Sequence, residues 1–158
     1  MAPKSRSLAP KAPSKPPRGR SILPVSAREE HEGDAPAVLV VEDDAAARRL
    51  IVRALRTLFT VYDAPDGAEA LRILERVPPV ACVVADVMMP GMDGMTLAKK
   101  MRAEPRLRAV PLVFVTARGE ASSVLEGINL GARHYIQKPF KVKDLVEKVR
   151  GVVHPTRR

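Results

Sequence analysis

Carboxylates follow two apolar, valine-rich segments of this chain. The run at residues 37–41 leads into Glu42 and Asp43, and the run at residues 80–85 leads into Asp86. Three carboxylates brought to one place repel one another unless a cation offsets their charge. Oxygen ligands of this kind suit magnesium, whereas zinc is bound mainly by cysteine and histidine. These residues therefore predict a magnesium site.

A hydroxyl and an ammonium group stand at the ends of two further apolar segments. Thr116 follows the run at residues 111–115, and Lys138 comes shortly after the run at residues 132–136. Together with a metal ion, these side chains would offer the three oxygens of a phosphoryl group a metal, an ammonium and a hydroxyl contact. The residue types predict a phosphoryl-binding site beside the carboxylates.

Alternating strands and helices would bring these residues together. Short valine-rich runs bounded by turn residues predict five strands. They lie at residues 37–41, 59–62, 80–85, 111–115 and 132–136. Weaker helical patterns lie at about residues 67–76, 94–103 and 119–130. Continuous apolar strands that alternate with amphipathic helices predict a parallel sheet covered on both faces. Ligands bind such a sheet at the carboxyl ends of its strands, where all of these polar residues fall.

The first and last helices have the clearest patterns. In the first helix, apolar residues recur every three or four positions and predict the buried face. Its members are Ala47, Leu50, Ile51, Ala54, Leu55 and Leu58. The arginines are expected on the solvent side, at positions 48, 49, 53 and 56. In the last helix, we expect an inward face made of Val142, Leu145, Val146, Val149 and Val153.

Four sequence blocks, in this order and spacing, resemble the receiver domains of response regulators in two-component signalling. The blocks are VVEDD at 40–44, DVMMPGMDG at 86–94, VTA at 115–117, and GA with YIQKPF within 131–140. The resemblance extends from about residue 37 to 153. It implies an α/β fold, the flavodoxin-like, doubly wound, five-stranded parallel sheet of the bacterial chemotaxis regulator, with strand order 2-1-3-4-5 and five helices.

The resemblance also implies a role for each matched residue of the acidic site. Asp86 would accept a phosphoryl group from a sensor histidine kinase or a histidine phosphotransfer protein. Asp43, Asp86 and the backbone carbonyl of Met88 would coordinate Mg²⁺, and Glu42 would act directly or through water. A carboxylate is ionised at neutral pH, so the acceptor needs charge neutralisation and no base.

Three further matched residues would respond to the phosphoryl group. Lys138 would pair with a phosphoryl oxygen, and Thr116 would move to hydrogen-bond another. Tyr135 would turn inward as Thr116 moves, which would couple the phosphate to the surface of the fourth helix, fifth strand and fifth helix. A separate effector protein would dock on that surface. The Lys138–Pro139 peptide bond would be cis.

Several neighbouring residues have structural interpretations. Asp44 is expected to cap the first helix, since aspartate is a favoured N-cap. The Pro-Gly pair at 90–91 and the Asp-Gly pair at 93–94 are turn formers that would shape the loop after Asp86. Cys82 lies within an apolar run and is expected to be a small core residue.

The two ends of the chain differ in composition from the predicted receiver domain at residues 37–154. Residues 1–36 contain seven of the 15 prolines and carry a net charge of +3, which predicts a disordered tail. Residues 155–158 form a short basic tail. The Pro-Arg-Gly-Arg sequence at 17–20 is similar to the core of AT-hook peptides, so a DNA-associated regulator is an alternative. The remaining +6 is spread over the domain, so we do not expect DNA as the main partner.

Two other functions use similar residues. A phosphatase of the haloacid-dehalogenase type needs a second acid two residues after its nucleophile, where this chain has Met88. A pseudo-receiver that works without phosphorylation usually lacks an acidic residue or the lysine, and this chain keeps them all. We therefore expect a non-enzyme that catalyses only its own phosphorylation and a slow dephosphorylation. Slow loss is expected because Met88 and Arg118 offer no carboxylate or amide to orient water.

The single cysteine and the apolar runs indicate the compartment. One cysteine excludes an internal disulfide and fits a reducing environment. No apolar run approaches the ~20 residues of a membrane-spanning helix, and prolines follow the basic N-terminus where a secretory signal would be apolar. We expect a cytoplasmic protein without a membrane partner.

Overall fold

Strands and helices alternate along the described chain. The computed structural model describes residues 35–117 and 121–156. The strands are β1 (Ala37–Val41), β2 (Thr60–Ala64), β3 (Cys82–Ala85), β4 (Leu112–Thr116) and β5 (Ala132–Gln137). The helices are α1 (Ala45–Leu55), α2 (Gly67–Arg76), α3 (Gly94–Ala103), α4 (Ala121–Asn129) and α5 (Val142–Val153). Most of the predicted tail, its AT-hook-like sequence and Arg118 lie outside the described residues.

The strands form one parallel sheet. Within the described residues its order is β2-β1-β3-β4-β5, and every strand pair is parallel. The predicted α/β fold, with five strands in the order 2-1-3-4-5 and five helices, is confirmed. The chain passes from β1 to β2 in one direction and returns to β3 on the other side of β1. The strand order therefore reverses between β1 and β3, and a crevice opens at their carboxyl ends.

Side chains on the strands alternate between two apolar layers, one on each face of the sheet. One layer surrounds Leu39 and Phe114 and includes buried residues of α2 and α3. The other surrounds Val38 and Val113 and includes buried residues of α1 and α5. Cys82 lies in this second layer, as predicted, and burial raises the pKa of its thiol to about 12. The helices thus pack against both faces of the sheet and determine where its strands end.

The buried face of α1 differs from the predicted stripe. Leu50 and Leu58 are 49% and 43% exposed, and Leu58 lies beyond the end of the helix at Leu55. Val52 is buried although it was not in the stripe. The buried arc is centred on Ile51, Val52 and Leu55, and at 3.6 residues per turn Leu50 falls on its open side. The apolar pattern gave the helix but misplaced its face by about one residue.

Two other element boundaries also differ. Val142, predicted to face inward, is the first residue of α5 and is 37% exposed. The helix buries its apolar side only from the second turn, at Leu145 and Val149. Strand β2 runs to Ala64, beyond the predicted end, so Asp63 is a strand residue.

Among the described residues, none of the helices combines the length and the apolar character needed to span a bilayer.

Candidate functional site

Three carboxylates meet at the carboxyl ends of β1 and β3. Glu42 and Asp43 follow β1, and Asp86 follows β3, where its backbone N–H donates to the carbonyl of Val41 at 2.9 Å. One carboxylate oxygen of each acid lies within 4.8 Å of the others. Glu42 and Asp86 are buried, whereas Asp43 is exposed. The structure brings together the three predicted acids, and we call this group the acidic edge.

Lys138 reaches the acidic edge from the end of β5. Its Nζ donates to Glu42 Oε2 at 2.7 Å and to Asp86 Oδ2 at 2.8 Å. Its backbone N–H donates to the carbonyl of Thr116 at 2.9 Å, which ties the segment after β5 to the end of β4. The Lys138–Pro139 peptide bond is cis, as predicted. The lysine is therefore held between two of the three carboxylates.

Burial and hydrogen bonding both act on the charges of the acidic edge. Burial raises the pKa of Glu42 above its ordinary value, and the hydrogen bond from Lys138 offsets part of that rise. Burial lowers the pKa of Lys138, but its hydrogen bonds to Asp86 and Glu42 outweigh this, so the pKa is raised overall. Lys138 is thus a stable cation. One ammonium beside three carboxyl groups leaves an excess of negative charge that a divalent cation would offset.

The turn after β1 is fixed at several polar atoms of Glu42. Its backbone N–H donates to the carbonyl of Ala64 at 3.1 Å, and its Oε1 accepts from the N–H of Asp44 at 3.1 Å. Its backbone carbonyl accepts from Nη1 of Arg48 at 2.7 Å. The Asp44 side chain accepts from the N–H of Ala47, which confirms Asp44 as the N-cap of α1. Glu42 is therefore held through both its backbone and its side chain.

The position of Arg48 differs from the one that helical periodicity predicts. Its side chain was expected in solvent but is only 19% exposed, and its Nε lies 3.1 Å from Oδ2 of Asp63 on β2. A long side chain can reach back over a helix end, so helical periodicity alone does not fix where its charged group lies. The available signal for this ion pair was Asp63, near the end of the second strand. It was missed because that strand was predicted to end at residue 62.

The loop after Asp86 is shaped by turn residues, as predicted. The N–H of Met88 donates to Oδ1 of Asp86 at 2.9 Å. Gly91 has a φ of 73°, a conformation that glycine adopts without strain. Asp93 caps α3 by accepting from the N–H of Thr96. A Cβ at Gly94 would clash with the backbone carbonyl of Asp86, so glycine lets the helix start close to this carboxylate.

Thr116 and Tyr135 lie further along the sheet. Thr116 is buried at the end of β4, two residues after Phe114. The Tyr135 ring is half-buried with its centroid 5.3 Å from that of Phe114, and its hydroxyl donates to the carbonyl of Ser123 on α4 at 2.8 Å. A Cβ at Gly127 would overlap this hydroxyl. Gly127 therefore makes room for Tyr135, and its position inside a helical pattern was the signal that could have identified it.

A doubly wound sheet with an acidic edge and a lysine at its switch point defines a receiver-type domain. Residues 38–150 match the family model of the response regulator receiver domain. The chain belongs to this family of two-component signalling proteins.

Curated relatives are similar over most of this chain. Transcriptional regulatory protein SrrA of Staphylococcus aureus is 35% identical over 120 residues, which are 75% of this chain and 48% of that protein. Protein PetR of Rhodobacter capsulatus is 37% identical over 119 residues, again 75% of this chain and 48% of that protein. The chain spans about half the length of these relatives.

Solved structures show the same architecture. Chemotaxis protein CheY4 of Vibrio cholerae has a TM-score of 0.71 and 27% identity, covering 75% of this chain and 99% of that chain. The receiver domain of Francisella response regulator 1452 has a TM-score of 0.69 and 28% identity, covering 77% and 99%. These neighbours match the described domain almost from end to end.

Proposed function

We propose that this chain is a phospho-accepting receiver, with Asp86 as the acceptor and a phosphohistidine of a histidine kinase or phosphotransfer protein as the donor. The observation that carries this proposal is the environment of Asp86. Its carboxylate is buried at the switch point, 2.8 Å from the Lys138 ammonium, and two further carboxylates lie within 4.8 Å. Membership of the receiver family supports the same role.

The chemistry is an in-line transfer to a carboxylate oxygen of Asp86. A new O–P bond forms while the P–N bond to the imidazole breaks, and the imidazole nitrogen keeps the electron pair and takes a proton from solvent. The carboxylate is already a nucleophile, so the main requirement is to offset negative charge on the phosphoryl oxygens. Lys138, whose Nζ lies 2.8 Å from Oδ2 of Asp86, would do this, and the buried hydroxyl of Thr116 would donate a further hydrogen bond.

The acidic edge fits a magnesium ion. Its donors are hard carboxylate oxygens, they lie within 4.8 Å of one another, and they outnumber the single ammonium beside them. Glu42, Asp43, Asp86 and the backbone carbonyl of Met88 would hold the ion. When bound, magnesium supplies Lewis-acid stabilisation of charge on the phosphoryl oxygens. The exposed position of Asp43 leaves the edge open to solvent, from which the ion and the donor would arrive.

The signal would leave through the side of the domain formed by α4, β5 and α5. Thr116 and Tyr135 lie on neighbouring strands, so a move of Thr116 toward a phosphoryl group would change the space available to the Tyr135 ring. Leu125 and Ile128 of α4 are 65% and 54% exposed, which suits a surface that an effector covers. We expect the effector to distinguish the two positions of Tyr135 and α4.

Phosphorylation by a small donor tests the acceptor. The full chain is incubated with MgCl2 and acetyl phosphate, and intact mass is measured for wild type, Asp86→Asn and Asp66→Asn. Asp66 caps α2 just after β2, and asparagine keeps that cap, so this variant is a matched control. Wild type and Asp66→Asn should gain one phosphoryl group, and Asp86→Asn should gain none. Equal modification of Asp86→Asn would reject Asp86 as the acceptor.

A further inference from the structure

Arg48 joins three elements next to the acidic edge. It starts from α1, its Nη1 donates to the backbone carbonyl of Glu42 at 2.7 Å, and its Nε pairs with Asp63 of β2 at 3.1 Å. Its neighbour Arg49 is exposed and makes no ion pair within the described residues. The two arginines are adjacent on one helix, yet only Arg48 contacts the turn that carries the acids.

The side chain of Asp43 depends on this turn for its position. Within the described residues its carboxylate accepts no hydrogen bond, so the backbone on either side must place it. On one side, the Glu42 backbone is held by Ala64 and Arg48; on the other, Asp44 is held by its bond to Glu42 and by its cap of α1. Because a peptide unit is planar, fixing the Glu42 carbonyl also fixes the nitrogen and Cα of Asp43.

We infer that Arg48 is a positioning residue of the magnesium site. Its guanidinium, oriented by Asp63, fixes the Glu42–Asp43 peptide so that the Asp43 carboxylate joins those of Glu42 and Asp86. Arg48 itself would contact neither the metal nor the phosphoryl group. This role rests on the proposed function, since it takes the three carboxylates to be the metal ligands.

Electrostatics alone gives the opposite expectation for removal of Arg48. The guanidinium is a positive charge beside a cation site, so its loss would make magnesium binding tighter if charge were the only effect. Loss of a positioning contact would make binding weaker, because Asp43 would no longer be held with the other two ligands. The sign of the change in magnesium affinity therefore separates the two effects.

The test is a calorimetric titration of MgCl2 into the full chain. Arg48→Gln should weaken magnesium affinity on the order of tenfold, the lower end of what loss of a residue behind metal ligands causes. Arg48→Lys should weaken it several-fold, because an ammonium keeps the charge but cannot make the two-pronged contact. The control Arg49→Gln removes the same charge one residue away and should bind magnesium as tightly as wild type or more tightly.

Two further readouts keep a positioning role apart from a loss of folding. Thermal unfolding in metal-free buffer shows whether each variant is folded. If Arg48→Gln is unfolded, the magnesium affinity of Arg48→Lys tests the positioning role instead. Labelling by acetyl phosphate at saturating MgCl2 should recover toward wild type, since excess metal offsets weaker binding but does not repair a misfolded domain. Arg48 variants that bind magnesium as tightly as wild type would overturn this inference alone. Wild type that binds no magnesium would overturn the proposed function, and this inference with it.

Discussion

The acidic edge and Tyr135, on the α4–β5 side of the sheet, are held by different kinds of contact. At the acidic edge, Glu42 uses its N–H, its carbonyl and both carboxylate oxygens, and two of its partners are charged. On the α4–β5 side, Tyr135 makes one neutral hydrogen bond to Ser123, and α4 exposes Leu125 and Ile128. Hydrogen bonds to charged groups contribute about 1.5–3 kcal/mol each, against about 1 kcal/mol for neutral ones.

This difference suits the two tasks of a receiver. Phosphoryl transfer needs groups that are fixed before the donor arrives, because reorganisation during the reaction would add to the barrier. Signal output needs an element with two arrangements close in free energy, because a ligand can shift only a balanced equilibrium. Under the proposed function, the charged hydrogen bonds of the acidic edge suit the first need, and the neutral hydrogen bond and ring contact of Tyr135 suit the second. Three substitutions test this contrast.

Removal of the Lys138 ammonium should have the largest effect on stability. Lys138→Met leaves two buried carboxylates without their shared cation, which should lower the free energy of unfolding by about 3 kcal/mol in metal-free buffer at pH 7. Urea denaturation measures the change. Lys143→Met is the control, since that ammonium is 83% exposed on α5 and its loss should change stability by less than about 0.5 kcal/mol. Equal losses in the two variants would mean that the acidic edge is not held as described.

The pH dependence of the Lys138→Met deficit follows from Glu42. Burial raises the pKa of Glu42, so the folded state binds a proton more readily than the unfolded state does. Stability from this proton is present at low pH and is lost as pH rises through the folded-state pKa. Without Lys138 the rise in pKa should be larger. The deficit should therefore shrink as pH falls from 7 toward the ordinary glutamate value of 4.5.

Adding one methyl group at Gly127 should have an intermediate effect. The Cβ of alanine would overlap the Tyr135 hydroxyl, so the ring must leave its place beside α4. Overpacking costs about 1–3 kcal/mol, and the higher helix propensity of alanine offsets up to ~1 kcal/mol of that cost. We expect a net loss of about 1 kcal/mol in urea denaturation. In a Tyr135→Ala background the same change should be neutral or stabilising; a loss of equal size there would show that Tyr135 is not the obstacle.

The phenol of Tyr135 gives a direct readout of the same change. Burial, with a smaller contribution from Glu126, raises the pKa of Tyr135 in the folded protein. The chain has two tyrosines, so a Tyr62→Phe background leaves Tyr135 alone in an ultraviolet-absorbance titration. Gly127→Ala should move its pKa down toward the ordinary tyrosine value. An unchanged pKa would mean that the ring accommodates the methyl group without leaving its site.

The features that sequence reasoning predicted and those it missed have different physical origins. The apolar runs and the polar residues at their ends predicted a parallel sheet and the place of Glu42, Asp86 and Lys138, because parallel strands bring their carboxyl ends to one edge. The strand order came from the resemblance to receiver domains. The roles of Arg48 and Gly127 depend on residues that are distant in sequence but close in the fold. Helical periodicity gives the direction of a side chain from its own helix axis. It does not show that Asp63 lies beside Arg48 or that the Tyr135 ring lies beside Gly127.

A change at the rim of the acidic edge should alter the phosphate lifetime with the smallest effect on stability. Met88 follows Asp86 by two residues and is 60% exposed, so Met88→Asn should cost less than about 0.5 kcal/mol. The new amide can orient water, and we expect dephosphorylation to be about fivefold faster, equivalent to ~1 kcal/mol in the barrier. Leu125→Asn is the control, since Leu125 is an apolar residue on α4 that is 65% exposed.

Decay of the phosphorylated form, followed by intact mass, measures the dephosphorylation rate of both variants. Faster loss at unchanged stability would show that water access at the rim sets the lifetime while the edge stays rigid; an unchanged rate would place the limit on hydrolysis elsewhere.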